Sequence, residues 1–531
     1  MRNLRYLFAL LAVLGLAAPA AATTYYVDPT TGSNSNSGTS RTTAWAGVPT
    51  SGGSGSGWKK LVAGDNVLIR RGARFTAPLT VKSDWYATNA SKANPISVTP
   101  DPEWGSGAVT WDGAGILVQY IHGFNLDGLQ RGGVVIQNAP GRGVEAIGVT
   151  TTDRLRGLRL GNIRVYRAAD RHVSLQKVDG FMLEKVDVDG GGILNGSSGI
   201  CLGEDGDRGC SNGQLLGCTA SNMGPASYTQ GSGTNNYQGF WIVNDRNIYL
   251  DGCDGFHNSG RGFDCGGVGS AGVAMSDNIT FYRCRAYNNG NDGFGSSAED
   301  YPESEPSRHY YYYCLAYGNG GGGWQIYEGP TCYMYNCVSD RNLTAVRLWG
   351  VNPTMGWNQG RKAHIYIYNC VLSRPTAGSG EAASGTVFVG YVNQLDLHMD
   401  YNFYVQGASP NAAVWGYFYP GPAVFYGYNA SESPGGRRKW FIDHGCDEHS
   451  LCSMDGRVVG FTNPDSGDFH LSSNSDCLDA GTNVGLTQDF EINTVPQNGA
   501  VDIGAFEALA SGGQQQPVPP RAPTGLRAVP E

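Results

Sequence analysis

The chain has 531 residues, with 37 Lys and Arg against 46 Asp and Glu and a formal net charge of −9. Only 16 % of residues are charged, 40 % are apolar and 79 are glycine; this excludes a disordered acidic chain and fits a fold with a turn at every corner. The acidic balance argues against nucleic acid as a partner, and an acidic polymer would need cations gathered locally.

Residues 1–22 read as an export signal. Arg2 and Arg5 form a basic start, Tyr6 to Ala18 an apolar core too short for a stable membrane span, and Ala20-Ala21-Ala22 a small-residue cleavage site. The expectation is a secreted protein, extracellular or periplasmic, beginning near Thr23 and without a membrane span. YYVDPTTGSNSNSGT then gives a strand and a polar loop. LVAGDNVLIRRGARF, NPISVTP and AVTWDGAG read as irregular first turns that cap a stack of strands.

From about residue 130 to 405 a degenerate repeat takes over. QLLGCTA, IYLDGCDG, ITFYRCRAY, YYYYCLAY, YMYNCVS and IYIYNCVL return one cysteine each: Cys218, Cys253, Cys284, Cys314, Cys337 and Cys370. Spacings of 35, 31, 30, 23 and 33 residues suit a solenoid whose turns carry loops of different length. Ile163 and Val186 fill the same slot upstream and Asn402 downstream. Asn258, Asn289, Asn319 and Asn342 follow four of these cysteines by five residues, as a hydrogen-bonded column would require. A second strand precedes each cysteine strand. Its alternation puts Val173, Ile200, Phe240, Phe263, Phe294, Trp324, Val346 and Val387 inside. Together these predict an all-β chain, a parallel β-helix over residues 23–509, right-handed because parallel crossovers favour that hand.

Thirteen cysteines in an exported chain raise the question of disulfides. The six in the column read as inward apolar fillers. Cys446 and Cys452, flanking a short polar loop, form the best disulfide pair, with Cys201 and Cys210 second. Residues 406–465 break the repeat, and FHLSSNSDCLDAG and VDIGAFEAL close the domain. Residues 510–531 form a Gly/Gln/Pro-rich linker, whose end, APTGLRAVPE, resembles the first strand of a fibronectin type III module.

GSNSNSGT, AGDNVLIRRG, the CxAYNN-type rungs and DIGAFE resemble secreted bacterial right-handed β-helix proteins, a superfamily of polysaccharide lyases, epimerases and glycosidases. Within it, CRAYNNGNDGF most resembles calcium-dependent pectate lyases that use a lysine base. The resemblance implies a calcium cluster at Asn291, Asp292 and Gly295, with the lysine position falling at Gln325. One rung earlier the cluster falls at Gly260, Arg261 and Asp264, and the lysine position at Gly295. Each register keeps one acid, so Ca2+ is expected, if at all, at Asp264 or Asp292.

On the strands that precede the cysteine strands, the outward column reads Ser174, Cys201, Trp241, Asp264, Gly295, Gln325, Arg347 and Phe388. The next reads Gln176, Gly203, Val243, Gly266, Ser297, Tyr327, Trp349 and Gly390. Gly266, Gly295 and Ser297 predict a concavity flanked by Trp241, Tyr327 and Trp349, a surface on which a glycan stacks. Asp264 is the central acid, and Arg347 is placed to neutralise a uronate carboxylate, though three rungs from Asp264. Arg261 is placed to stand in for a metal's charge. His257, His309, Tyr327 and Lys177 are the candidate bases, with His257 preferred because it shares a rung with Asp264. The function expected is β-elimination on a uronate-containing polysaccharide by a monomer. A glycoside hydrolase working with paired carboxylates and a non-catalytic binding or adhesion protein remain open beside it.

Overall fold

Strict alternation along each strand, one residue in and the next out, is what a wall with a dry inner face demands, and the computed structural model shows it on three walls. It describes residues 22–508 apart from 151, 193–197, 204–208, 226–236, 267–275, 298–306, 328, 351–361, 374–385, 406–414, 419–423 and 427–442. The expected signal up to residue 21, most of the aromatic stretch within 406–442, the tail from Ala510, and the acids Glu204, Glu299, Asp300, Glu303, Glu305 and Glu328 lie outside the described residues.

The chain winds through three long sheets in turn, forming a right-handed parallel β-helix. Sheet one has fifteen strands, its main path running from Thr24–Val27 to Leu395–Asp400. Sheet two has thirteen, from Leu79–Val81 to Val424–Tyr426, parallel except for its last pair. Sheet three also has thirteen, from Arg74–Phe75 to Leu451–Cys452. No helix of the described residues is long and apolar enough to cross a membrane.

The inward column of sheet two follows the expected register. Val173, Ile200, Phe240, Phe263, Phe294, Trp324, Val346 and Val387 pair strand to strand, and all are fully buried. Four of them stack face to face, with centroids 4.5 Å apart for Phe240–Phe263, 4.9 Å for Phe263–Phe294 and 5.0 Å for Phe294–Trp324. Each such pair adds about 0.5–1.5 kcal/mol beyond its buried area.

The six column cysteines sit at the corner between sheets one and three, and each thiol donates to a carbonyl of the preceding rung at 3.4–3.8 Å. The asparagines form a second ladder. Asn258 Nδ2 donates to Asn289 Oδ1 (3.0 Å), Asn289 to Asn319 (2.9 Å) and Asn319 to Asn342 (2.9 Å). This ladder explains the glycine that precedes each inward aromatic. A Cβ on Gly262 would lie 2.8 Å from Asn289 Nδ2.

The disulfide expectations fail: all thirteen cysteines are buried free thiols. Cys446 closes on the end of sheet one, its thiol 3.4 Å from the Leu397 carbonyl, while Cys452 lies on sheet three beside Tyr404. Cys201 contacts the Gly203 carbonyl and Cys210 the Leu175 carbonyl instead of each other. Short sequence spacing across a corner puts two side chains on different walls.

The closing segment packs along the outside of the corner between sheets one and three. Phe469, Cys477, Val501 and Ile503 cover Leu315, Val338, Val371 and Phe403. Tyr282 Oη donates to the Gln488 carbonyl at 2.7 Å. This leaves the outer face of sheet two to carry the site.

Candidate functional site

The outward column of sheet two is in the register read from the sequence, Ser174 through Phe388. Its centre is not the expected concavity. Arg261, in the turn before Phe263–Gly266, lies across Gly295: a Cβ there would meet Arg261 Cδ at 2.7 Å and Nε at 2.9 Å. The small residue makes room for the protein's own guanidinium. Ser297 fills the neighbouring space over Gly266 in the same way.

From that position Arg261 touches three partners. It donates to Asp264 Oδ1 (2.7 Å), Asp292 Oδ2 (3.2 Å) and Gln325 Oε1 (3.0 Å). Asp264 also accepts from Gln238 Nε2 at 3.3 Å. Asp292, fully buried, accepts from the Gly322 amide at 2.6 Å and pairs with Arg347 at 3.6 Å. Arg347 donates Nε to Thr344 Oγ1 at 3.2 Å. Charges alternate along the face as Asp264, Arg261, Asp292, Arg347. Burial works against the Arg261 charge, but Asp264 and Asp292 outweigh it and hold its pKa above the usual guanidinium value. The sequence set Arg347 three rungs from Asp264, and the register agrees; what it missed is that Asp292 reaches into the gap and joins both arginines.

Gln325 and Arg347 are direct neighbours on adjacent strands, as are Tyr327 and Trp349 one outward position further on. These four side chains, all partly exposed, form a quadrilateral patch. Tyr327 meets Trp349 edge to face at 6.2 Å, and Trp349 leans on Phe388 at 5.0 Å. Trp241, at the other end, lies beneath the Arg171 guanidinium at 5.3 Å, so its sequence role as an open stacking surface is shared with a cation.

The two histidines of interest lie elsewhere. His257 follows the strand Asp254–Phe256 on sheet three, where its ring meets Phe256 and Tyr287, and Asn288 approaches Nε2 at 3.5 Å. Sharing a rung with Asp264 puts it on another wall. His309 points into the β-helix, against Ser296 and 3.5 Å from the Cys265 thiol, and burial pushes its pKa down to about 4, so it is a neutral interior group. Lys177 lies at the edge of sheet two, in left-handed backbone with φ 53°.

Calcium, expected at Asp264 or Asp292, does not fit the donor set. Both carboxylates close on Arg261, which takes the place between them that a cation would need. Among the described residues no group of three or more His, Cys, Asp or Glu is arranged to hold a metal.

No family model matches the chain, and no curated protein matches it. Solved structures do. Pectate lyase Pel9A is 15 % identical, covering 92 % of this chain and 97 % of that one, with a TM-score of 0.45. The A-module of the mannuronan C-5 epimerase AlgE6 from Azotobacter vinelandii is 13 % identical over 73 % of this chain and 91 % of that one, TM-score 0.42. A rhamnogalacturonan lyase is 16 % identical over 66 % and 87 %, TM-score 0.39. These are likenesses of overall fold alone.

Proposed function

We propose that the protein is a polysaccharide lyase that cleaves a uronate-containing polymer at the Gln325–Tyr327–Arg347–Trp349 patch, without calcium. The observation that carries this reading is the Arg261–Asp292–Arg347 row: the buried Asp292 joins the two guanidiniums and holds Arg347 in place beside Gln325 with no metal needed to do so. Arg347 binds the uronate carboxylate and withdraws electron density from C5. Tyr327 takes the C5 proton on its phenolic oxygen after giving its own proton to solvent. The C–H electron pair forms the C4–C5 double bond, the C4–O bond breaks, and the phenol returns the proton to the leaving oxygen. Gln325, held by Arg261, hydrogen-bonds sugar hydroxyls, and Trp349 packs on the pyranose ring. Asp264 acts at one remove, by orienting Arg261.

The test is incubation of the secreted protein with pectate, alginate and glycosaminoglycans, with calcium and with EDTA, following the ultraviolet absorbance of unsaturated product. The expected result is absorbance that survives EDTA and disappears in Tyr327→Phe while binding persists. New reducing ends without absorbance would make the protein a hydrolase. Silence in both assays would make it a binding or adhesion protein.

A further inference from the structure

Sheet two carries a depression nearer the N-terminal end. A cavity of about 370 Å³ opens over the strands Ile116–Gln119, Val144–Ile147 and Val173–Gln176. Tyr120, Arg142, Glu145, Ile147, Gln176 and Lys177 line it. Arg142 is held in place on several sides, by Glu145, by Asp170 at 3.2 Å and by Ser174 Oγ at 3.3 Å. Tyr120 and Val149 at the rim are among the exposed large apolar side chains.

We propose that this cavity is a separate subsite for an acidic sugar residue of the same polymer, an inference that rests on the reading of the central patch as polysaccharide-binding. The lining offers what such a residue needs: Lys177 for a carboxylate, the Arg142–Glu145 pair and Gln176 for hydroxyls, and an apolar rim for the ring face. Register places Glu145 six rungs from Gln325 and seven from Arg347, through Ser174, Cys201, Trp241, Asp264 and Gly295. That is about 29–34 Å at roughly 4.8 Å per rung, so about six or seven sugar residues separate the two. Ser174 and Cys201 between them are fully buried, which makes two sites rather than one trench. Short oligosaccharides engage one; a longer chain bridges both and gains from the linkage.

The experiment measures binding of size-graded oligogalacturonates, from dimer to dodecamer, to the wild type, to Arg142→Gln and to Tyr120→Gly, with melting curves for all three. Tyr120 sits in left-handed backbone with φ 62°, so glycine removes the ring without adding strain. Expected is unchanged binding up to the tetramer and weakening of about tenfold for the octamer and longer. Equal binding by variants and wild type at every length overturns the subsite alone, as does an equal loss at every length. A wild type that binds neither the oligogalacturonates nor size-graded oligomers of alginate and glycosaminoglycan overturns the subsite together with the polysaccharide reading.

Discussion

Arg261 has 19 % of its side chain exposed and bonds to two carboxylates and an amide, a load that needs a planar fork. Lysine would keep the charge as a single point and reach only one of these partners well. Arg261→Lys should therefore destabilise the protein by about 1–3 kcal/mol and Arg261→Ala by about 3–5 kcal/mol, because Asp292 is left buried with less compensation. Urea unfolding measures both. If Asp264 acts through Arg261, Asp264→Asn, which can still accept from the guanidinium, should retain most of the activity, and Asp264→Ala should lose it. Complete loss in a stably folded Asp264→Asn protein would instead give the carboxylate a direct chemical role.

Ladders are the elements of this fold, and each is a column of like residues whose energy is shared by neighbours. Asn289 illustrates the cost of a gap. Its Oδ1 accepts from the Asn258 amide and side chain, and its Nδ2 donates to the Gly255 carbonyl and to Asn319, all in the buried corner. Asn289→Ala should cost about 2–4 kcal/mol, read as a lower urea midpoint, since buried partners are left unsatisfied. The cysteine and asparagine columns and the inward aromatics were legible because side-chain period two and a rung-length repeat leave a direct imprint on the sequence. The Arg261 network was only partly legible. Asp264 and Arg347 announce themselves as outward charges, whereas Asp292 sits in an NGND turn that reads as ordinary turn chemistry until the winding brings it under two arginines.

Across the whole molecule, buried titratable groups pull stability in opposite directions with pH. In the closing segment burial pushes Glu507 up to about 7 and raises Asp489 and Asp502 as well. A carboxyl whose folded pKa lies above its unfolded value favours folding fully below the unfolded value, near 4.5 for Glu507, and that contribution is lost as pH rises through about 7. His172 and His309, pushed down to about 4 by burial, act the other way: their contribution is present above about 6.5 and is lost as pH falls through about 4. The two windows overlap between about 4.5 and 6.5, so the contributions oppose each other there. Glu507→Gln, which is neutral at every pH, removes a contribution that falls as pH rises, so melting temperature should change with a more positive slope between about 4.5 and 7 than in the wild type; an unchanged slope would remove Glu507 from the account.

Fold class, winding register and the outward columns of sheet two followed from sequence alone, because burial alternates along a strand and repeats at each rung, and both periods are written in residue order. Which wall each turn residue faces did not. His257 and Asp264 share a rung and part at a corner, Cys446 and Cys452 are close in sequence and end on different walls, and Gly295 makes room for Arg261 instead of a ligand. Each of these depends on where long side chains reach across rungs and around corners, and only the closed three-dimensional path sets those distances.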